Sequence, residues 1–201
     1  GSSAAAATAP FAFSCVTPGA IVAFAWDFTG LAGGNNYTDS ESGILATLHG
    51  GATRTATGVV LDGVNGYVDL NLDAFVLGGS MTFVFVVKWT AFKQDSAILT
   101  LSKGGDTSII NIFNENKGGR LKSTTNEWAV ISSSTNDLTL GVYLHIVVIM
   151  GNNKVSFYRN GASFGTWSGK AEPLREARPD NFIGKGSLVG DAYFSGKVSS
   201  L

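Results

Sequence analysis

The chain has 201 residues, enough for one domain with a sizeable core, and all-β sandwiches of this length are commonly single domains. Its formal net charge is −1, so composition gives no electrostatic basis for binding nucleic acid or an anionic membrane surface. Charged residues make up only 14%, against about 25% in a typical soluble domain, so Ser, Thr, Asn and Gly must supply most of the polar surface.

Glycine is abundant (26 residues) and proline is scarce (4), a mixture typical of many short strands joined by tight turns. No stretch of the sequence approaches the ~20 consecutive apolar residues that span a bilayer as a helix. The single cysteine, Cys15, excludes a disulfide within this sequence; the alternatives are a free or linker thiol and a bridge to another chain or to a part of the parent protein outside this sequence.

The first twenty residues have low complexity and are predicted to be a linker or tag-derived extension, with a strand-like segment at 11–16. The domain is predicted to span residues 21–201, and its first strand is the apolar segment Ile21–Trp26. Turns follow at Asp39–Gly43 and, with a double turn signal, at Asp62–Gly66.

The longest apolar strand is Met81–Trp89, in which alternate residues from Phe83 to Trp89 share one face. Further strands follow at intervals of about 8–12 residues, the spacing typical of a sandwich or jelly roll. They are Ala97–Leu101, Ser108–Phe113, Arg120–Ser123 and Glu127–Ile131.

An antiparallel meander of three strands is predicted at Tyr143–Met150, Lys154–Arg159 and Ala162–Trp167. The dipeptide Asn160-Gly161 between the last two is the one best suited to φ > 0 at both central positions of a type I′ turn. The meander indicates an antiparallel fold.

After the meander, the charged segment Ser168–Asp180 has room for one helical turn, in which Glu172 and Glu176 would share a solvated face. Phe182–Gly184 and Ala192–Leu201 are predicted as closing strands. The fold class predicted from the whole pattern is an all-β, antiparallel sandwich.

Eight short motifs then occur in a single order along the chain. They are AFAWDF (23–28), TDSESG (38–43), VVLDGVNGYVDL (59–70), MTFVFVVKW (81–89), YLHIVVIM (143–150), KVSFYRNG (154–161), FIGKG (182–186) and YFSGKVSSL (193–201). In this order and spacing the chain resembles the laminin G-like members of the concanavalin A-like lectin/glucanase superfamily. The resemblance implies an antiparallel β-sandwich jelly roll. Ser199 stands where the family commonly has Asp, and the closing strand is expected to continue beyond residue 201 in the parent chain.

Retaining glucanases of this superfamily place three carboxylates at alternate positions of one strand, so that all three face the cleft. Asp69-Leu-Asn-Leu-Asp73 is the nearest pattern, and it lacks the central acid and any Glu. His49 and His145 are too few for a zinc site. The chain is therefore predicted not to be an enzyme, with a glucanase-like hydrolase as the least favoured alternative.

Related jelly rolls often bind one calcium ion, and the resemblance implies Asp27 and Asp39 as its carboxylate ligands. Ca²⁺ needs about 6–8 oxygen ligands, and Ser199 removes one candidate. The alternative is that Asp39 caps its own turn and Asp27 ends a strand. Separately, Asn36-Tyr37-Thr38 is an acceptor motif for N-glycosylation in a secreted protein.

A sugar-binding face requires aromatic platforms beside amides and a few charged groups. The predicted glycan-binding residues, expected on neighbouring strands of the concave sheet, are Asn111, Asn114, Arg120, Asn126 and Trp128. The alternative for Trp128 is a place in the core.

The function predicted from these observations is a non-catalytic, extracellular carbohydrate-binding or adhesion module, secreted or at the cell surface. Its partner would be a glycan or a glycosylated protein. The alternative is a structural subunit of an extracellular filament, matrix or surface assembly, which would use weakly charged faces to pack against copies of itself.

Overall fold

The computed structural model describes residues 14–17, 20–22, 24–30, 34–104, 108–115, 118–125, 129–132, 138–169, 172–188 and 190–201. In these residues the chain forms nineteen strands and no helix. None of them forms a helix of the length and apolarity that a bilayer-spanning segment requires. The predicted all-β class is confirmed.

The strands, in chain order, are β1 (Ser14–Thr17), β2 (Ala20–Val22), β3 (Asn36–Thr38), β4 (Leu45–His49), β5 (Thr53–Thr55), β6 (Gly58–Asp62), β7 (Tyr67–Asp69), β8 (Val76–Leu77), β9 (Met81–Ala91), β10 (Ser96–Ser102), β11 (Ile110–Asn114), β12 (Leu121–Thr125), β13 (Ala129–Ser132), β14 (Leu144–Gly151), β15 (Lys154–Arg159), β16 (Ala162–Ser168), β17 (Glu176–Ala177), β18 (Asp180–Ile183) and β19 (Ser195–Ser200).

Two antiparallel sheets carry almost all of these strands. The first sheet has nine strands in the order β16-β15-β14-β9-β19-β6-β5, with β1 paired to β9 and β2 paired to β1. The second sheet has eight strands in the order β13-β12-β11-β10-β18-β7-β4-β3, and β17 with β8 forms a separate short ribbon. Strands far apart in sequence are neighbours in both sheets, which is the jelly-roll arrangement of a β-sandwich.

The core lies between the two sheets, and the burial pattern of β9 identifies which face of the first sheet borders it. Its residues alternate between buried and half-buried from Met81 to Trp89, with Phe83, Phe85, Val87 and Trp89 at most 1% exposed. Because side chains of a strand point alternately to opposite faces, this alternation fixes which face of the sheet is inside. The second sheet contributes the opposing layer, with Leu99, Leu101, Ile110, Ile112 and Ile183 among its buried residues.

The predicted meander is confirmed as β14, β15 and β16, paired antiparallel in sequence order. Asn160 and Gly161 have φ of 49° and 83°, as a type I′ turn requires. The turn between β14 and β15 is of the same kind, since Asn152 and Asn153 have φ of 52° and 55°. In both hairpins the sequence supplies residues that tolerate the left-handed conformation.

At the start of the chain the structure differs from the predicted boundary at residue 21. Backbone pairing joins Ser14 and Cys15 of β1 to Thr82 and Met81 of β9, so part of the predicted extension belongs to the first sheet. The predicted strand Ile21–Trp26 ends early, because after β2 the backbone of Trp26 exchanges hydrogen bonds with Leu201 instead. Both differences arise from pairing with distant segments, which local sequence does not reveal.

Residues 172–180 contain the short strand β17 and no helical turn, so the helical turn predicted there is wrong. Arg178, which is fully buried, holds the segment in place. Its guanidinium donates to the carbonyls of Leu77, Leu174 (2.8 Å) and Ser108 (2.8 Å), and it lies 3.5 Å from the Glu176 carboxylate. One side chain therefore ties three separate stretches of chain together.

We expect Arg178→Met to lower the free energy of unfolding by about 3 kcal/mol, because it leaves three carbonyls without their donor. Urea denaturation measures the change. Arg175→Met, at an exposed position three residues earlier, is the matched control and should change stability by less than about 0.5 kcal/mol. Similar losses in both variants would contradict this role for Arg178.

The loop after β6 is also held by a single side chain, that of Asp62. Asp62 Oδ1 accepts hydrogen bonds from the backbone N–H groups of Val64 (2.9 Å), Asn65 (3.1 Å) and Gly66 (2.8 Å). These backbone donors, with Val64 the strongest, hold the pKa of Asp62 below its ordinary value. The ionised carboxylate therefore stabilises the loop that leads into β7.

Because the pKa of Asp62 is lower in the folded state than in the unfolded state, its stabilising effect is complete above the unfolded value and is lost as pH falls through the folded one. Asp62→Asn keeps an acceptor oxygen but cannot ionise. We expect its unfolding midpoint in urea to fall less than that of the wild type below about pH 4. Equal acid sensitivity of the two proteins would contradict the effect.

Candidate functional site

A continuous row of side chains crosses the outer face of the second sheet. The row consists of one residue from each of seven adjacent strands, and each of these residues is the register partner of the next. Residues before and after them on the same strands point into the core, so the row itself faces outward. From β12 to β3 the row is Thr124, Asn111, Thr100, Phe182, Asp69, Thr47 and Asn36. Apart from Phe182, every member carries a hydroxyl, amide or carboxylate. We call this set the polar row.

Burial changes along the polar row. Thr100 is fully buried and donates to Asn111 Oδ1 (3.1 Å), so both groups are already hydrogen-bonded. Asp69 and Thr47 are half-buried, and Asn36 is exposed. Thr124 at the opposite end is half-buried too, but the continuous stretch that a ligand can reach lies on β7, β4 and β3.

An aromatic cluster borders this accessible part. The His49 and Tyr67 rings are stacked with centroids 4.7 Å apart, Tyr67 meets Phe182 edge-on at 5.5 Å, and Tyr193 lies 6.4 Å from Tyr67. Lys185 Nζ sits 4.7 Å from the Tyr67 centroid and 4.3 Å from that of Phe182. We call these five residues the outer-face cluster.

The outer-face cluster combines a neutral tyrosine hydroxyl with one cation, the Lys185 ammonium. Burial first, and then Asp69 and Tyr193, raise the pKa of the Tyr67 hydroxyl, so it remains a protonated donor at physiological pH. Asp69 Oδ1 accepts the N–H of Asn71 (3.0 Å), which holds the carboxylate at the edge of the cluster. The site thus offers donors, an acceptor and ring surface within a few strands.

Of the predicted glycan-binding residues, Asn111 lies on the polar row, and Asn126 and Trp128 lie outside the described residues. Asn114 is fully buried on the core side of β11, where its Nδ2 donates to the carbonyl of Lys93 (2.8 Å). Arg120 lies at the β11–β12 hairpin, 3.4 Å from Glu115. The structure therefore brings none of these described residues into the outer-face cluster.

The two predicted metal ligands differ in their surroundings. Asp39 is 2% exposed; its Oδ1 accepts from the N–H of Ala25 and its Oδ2 from the N–H and hydroxyl of Ser42. Asp27 is exposed, and its Oδ1 accepts from the N–H of Thr29 (2.9 Å). Among the described residues, no three His, Cys, Asp or Glu side chains group as metal ligands. The contacts of Asp39 are those of a turn cap, and calcium at this pair stays a prediction.

Two further predicted features have clear positions in the fold. Asn36 is exposed on β3, the last strand of the second sheet, and its glycosylation stays a prediction. The backbone of Cys15 lies in β1, and its side chain is outside the described part of the structure. His145 lies on β14 of the first sheet, and His49 lies on β4 of the second.

Sequence reasoning missed all five residues of the outer-face cluster. One signal was present: in Tyr67-Val68-Asp69 an aromatic and an acidic residue flank a valine, as expected when valine faces the core and its neighbours face outward. The pairing of β18 with β7 and of β7 with β4 was not visible, and only that pairing brings Phe182, Tyr67 and His49 together.

Solved structures with a similar fold include domain 4 of the extracellular arabinanase AbnA from Geobacillus stearothermophilus, in complex with arabinotriose. The match has a TM-score of 0.72 at 17% identity and covers 88% of each chain. The CBM40 module of an IT-sialidase from Ruminococcus gnavus, bound to α2,3-sialyllactose, has a TM-score of 0.58 at 14% identity, covering 71% of this chain and 86% of that one.

Trypanosoma rangeli sialidase in complex with sialic acid matches with a TM-score of 0.64 at 14% identity. The match covers 88% of this chain and only 29% of the sialidase chain, so it concerns one part of that protein. Identities this low show a shared fold and no more. No curated protein sequence matches the chain.

A family model described as the concanavalin A-like lectin/glucanases superfamily, laminin G type, matches residues 62–201. The matched segment runs from the Asp62 loop to the end of the chain and contains β7 to β19. The match covers most of the sequence, and the antiparallel sandwich is the fold that the sequence resemblance implied. The chain therefore belongs to the laminin G-like family of the concanavalin A-like lectin/glucanases superfamily.

Proposed function

We propose that this protein is a non-catalytic carbohydrate-binding module that acts outside the cell and binds a glycan on the outer face of its second sheet. The observation that carries the proposal is the outer-face cluster beside the accessible end of the polar row. Glycan binding needs apolar ring surface to pack on sugar C–H groups and fixed polar groups to pair with sugar hydroxyls. The cluster and the row provide both.

The geometry of the cluster supports a ligand that lies across β18, β7 and β4. The Tyr67 ring stacks on His49 and lies 4.7 Å from the Lys185 ammonium, so these contacts restrict it before a ligand arrives. Asp69 and Thr47 are directly opposite each other on β7 and β4, and both are half-buried. An acceptor and a hydroxyl therefore face the same space as the Lys185 ammonium.

The likeness to modules that hold arabinotriose or sialyllactose in their solved structures is consistent with this function. Asp69 and Asp180 are two carboxylates near the cluster: Asp69 is the register partner of Phe182, and Asp180 lies two residues before Phe182 on β18. Each is engaged in the fold, because Asp69 accepts from Asn71 and Asp180 Oδ2 accepts from the Ser102 hydroxyl (3.2 Å). This engagement supports the non-catalytic part of the proposal.

We expect Tyr193→Ala and His49→Ala each to weaken the affinity for the glycan identified on an array by about fivefold to tenfold, because each removes ring surface from the cluster. Isothermal titration measures the affinity. Tyr158→Ala is the matched control, since Tyr158 is a half-buried tyrosine on β15 of the first sheet. Equal losses in all three variants, or no glycan bound by the wild type, would contradict the proposal.

Two further measurements test calcium binding and the absence of catalytic activity. Titration in EDTA and in calcium tests the ion proposed at Asp27 and Asp39: an affinity or melting temperature that depends on calcium, and loses that dependence in Asp27→Asn, supports it. Incubation with the bound polysaccharide tests the non-catalytic claim. Release of reducing ends that Asp69→Asn or Asp180→Asn abolishes would make the protein a hydrolase instead.

A second candidate function is a structural subunit of an extracellular assembly, and one observation favours it. The outer face of the first sheet is apolar at its centre, where Val84 and Val86 of β9 lie opposite Val147 and His145 of β14. Ile149, on the same face, is 40% exposed. Partly exposed valine and isoleucine side chains in adjacent strands form the kind of patch that buries itself against another surface.

If the protein assembles through this patch, its sedimentation coefficient should rise with concentration, and Val147→Lys should abolish the rise. Thr124→Lys, on the outer face of the second sheet, is the control and should leave assembly unchanged. A wild-type sedimentation coefficient that does not change with concentration would exclude this second function.

A further inference from the structure

Two lysines face each other on the outer face of the first sheet. Lys88 of β9 and Lys197 of β19 are register partners, and both point outward, because Val87, Trp89 and Val198 beside them are in the core. Cβ atoms of directly opposed residues lie about 4.5–5.5 Å apart, and like charges at such positions destabilise a sheet. A nearby group of opposite charge would offset this repulsion.

The two ammonium groups contact neighbouring residues, Thr57 and Tyr143. Lys197 Nζ donates to the hydroxyl oxygens of Thr55 (3.1 Å) and Thr57 (2.9 Å), and Lys88 Nζ lies 5.1 Å from the Tyr143 ring centroid. The Tyr143 hydroxyl in turn donates to the Thr57 carbonyl (3.1 Å). Tyr143 and Thr57, which are joined by this hydrogen bond, thus each contact one of the two ammonium groups.

No carboxylate neutralises the pair within the described part of the chain, where neither lysine has an acidic oxygen within 4.0 Å. The acids nearest in register are Asp62, opposite Ser195, and Asp27, bridged to Ser200. Asp62 is engaged with three backbone amides and Asp27 with Thr29. An ammonium group has three donors, and Lys197 uses two of them in the contacts above.

We propose that Lys88, Lys197 and the Thr57 hydroxyl form an anion site that binds a sulfate or phosphate group. Such a group has several acceptor oxygens, which match the lysine donors that make no hydrogen bond within the described residues, and its negative charge reduces their mutual repulsion. The site lies on the first sheet, so it is separate from the outer-face cluster of the second sheet. It does not depend on the glycan-binding function proposed above.

The test compares probes that differ only in charge. Dextran sulfate and unmodified dextran are titrated into the full chain, and inorganic sulfate and phosphate are titrated separately, with melting temperature as a second readout. We expect the wild type to bind dextran sulfate and not dextran. Lys88→Met and Lys197→Met should each weaken that binding about tenfold or more, because each removes one charged donor.

Two variants separate the site from general effects. Lys88→Arg keeps the charge and should retain binding, whereas Lys154→Met removes an exposed lysine at the β14–β15 turn and should change nothing. Sulfate stabilises many proteins non-specifically, so the relevant result is a gain in melting temperature that Lys88→Met loses and Lys154→Met keeps. Equal gains in all variants would overturn the proposal as a general salt effect. Binding of inorganic sulfate or phosphate without dextran sulfate would restrict the site to free ions.

Discussion

The strict alternation along β9 is the constraint on which the rest of the sandwich depends. Every second residue from Phe83 to Trp89 is buried, and each such side chain contributes about 1.5–3 kcal/mol when it leaves water. A register shift of one residue would turn all of them to the solvent. The pairing of β9 with β14 keeps one register from Met81 to Val87, whereas its pairing with β19 shifts register between Ser195 and Gly196 and between Val198 and Ser200.

Because the core face is fixed in this way, the two outer faces are free to differ, and they do. The outer face of the second sheet carries hydroxyl, amide and aromatic groups, and its accessible part lies where β18, β7 and β4 meet. The outer face of the first sheet carries valines at its centre and the lysine pair towards β19. One scaffold therefore presents two surfaces of different chemistry, and a single chain has room for two partners.

Local sequence was sufficient for the fold class, the meander and the type I′ turn at Asn160-Gly161, because period-two alternation and turn chemistry act over a few residues. The helical turn near Pro173 was predicted wrongly, since the buried guanidinium of Arg178 imposes an extended path through contacts with distant carbonyls. The site was missed for the same reason. His49, Tyr67 and Phe182 lie on three strands that are neighbours only through long-range pairing, so no spacing in the sequence reports their proximity.

The order of the strands also bears on how the chain reaches its native state. β19 pairs with β6 and β9, and β18 pairs with β7 and β10, so strands that come late in this sequence fill positions in the middle of both sheets. Contacts between residues this distant close long loops, which slows folding. Until β19 arrives, one edge of β9 has unpaired backbone groups beside its aromatic residues, the kind of edge on which chains associate wrongly. We therefore expect association between chains to compete with folding until β19 has paired with β9.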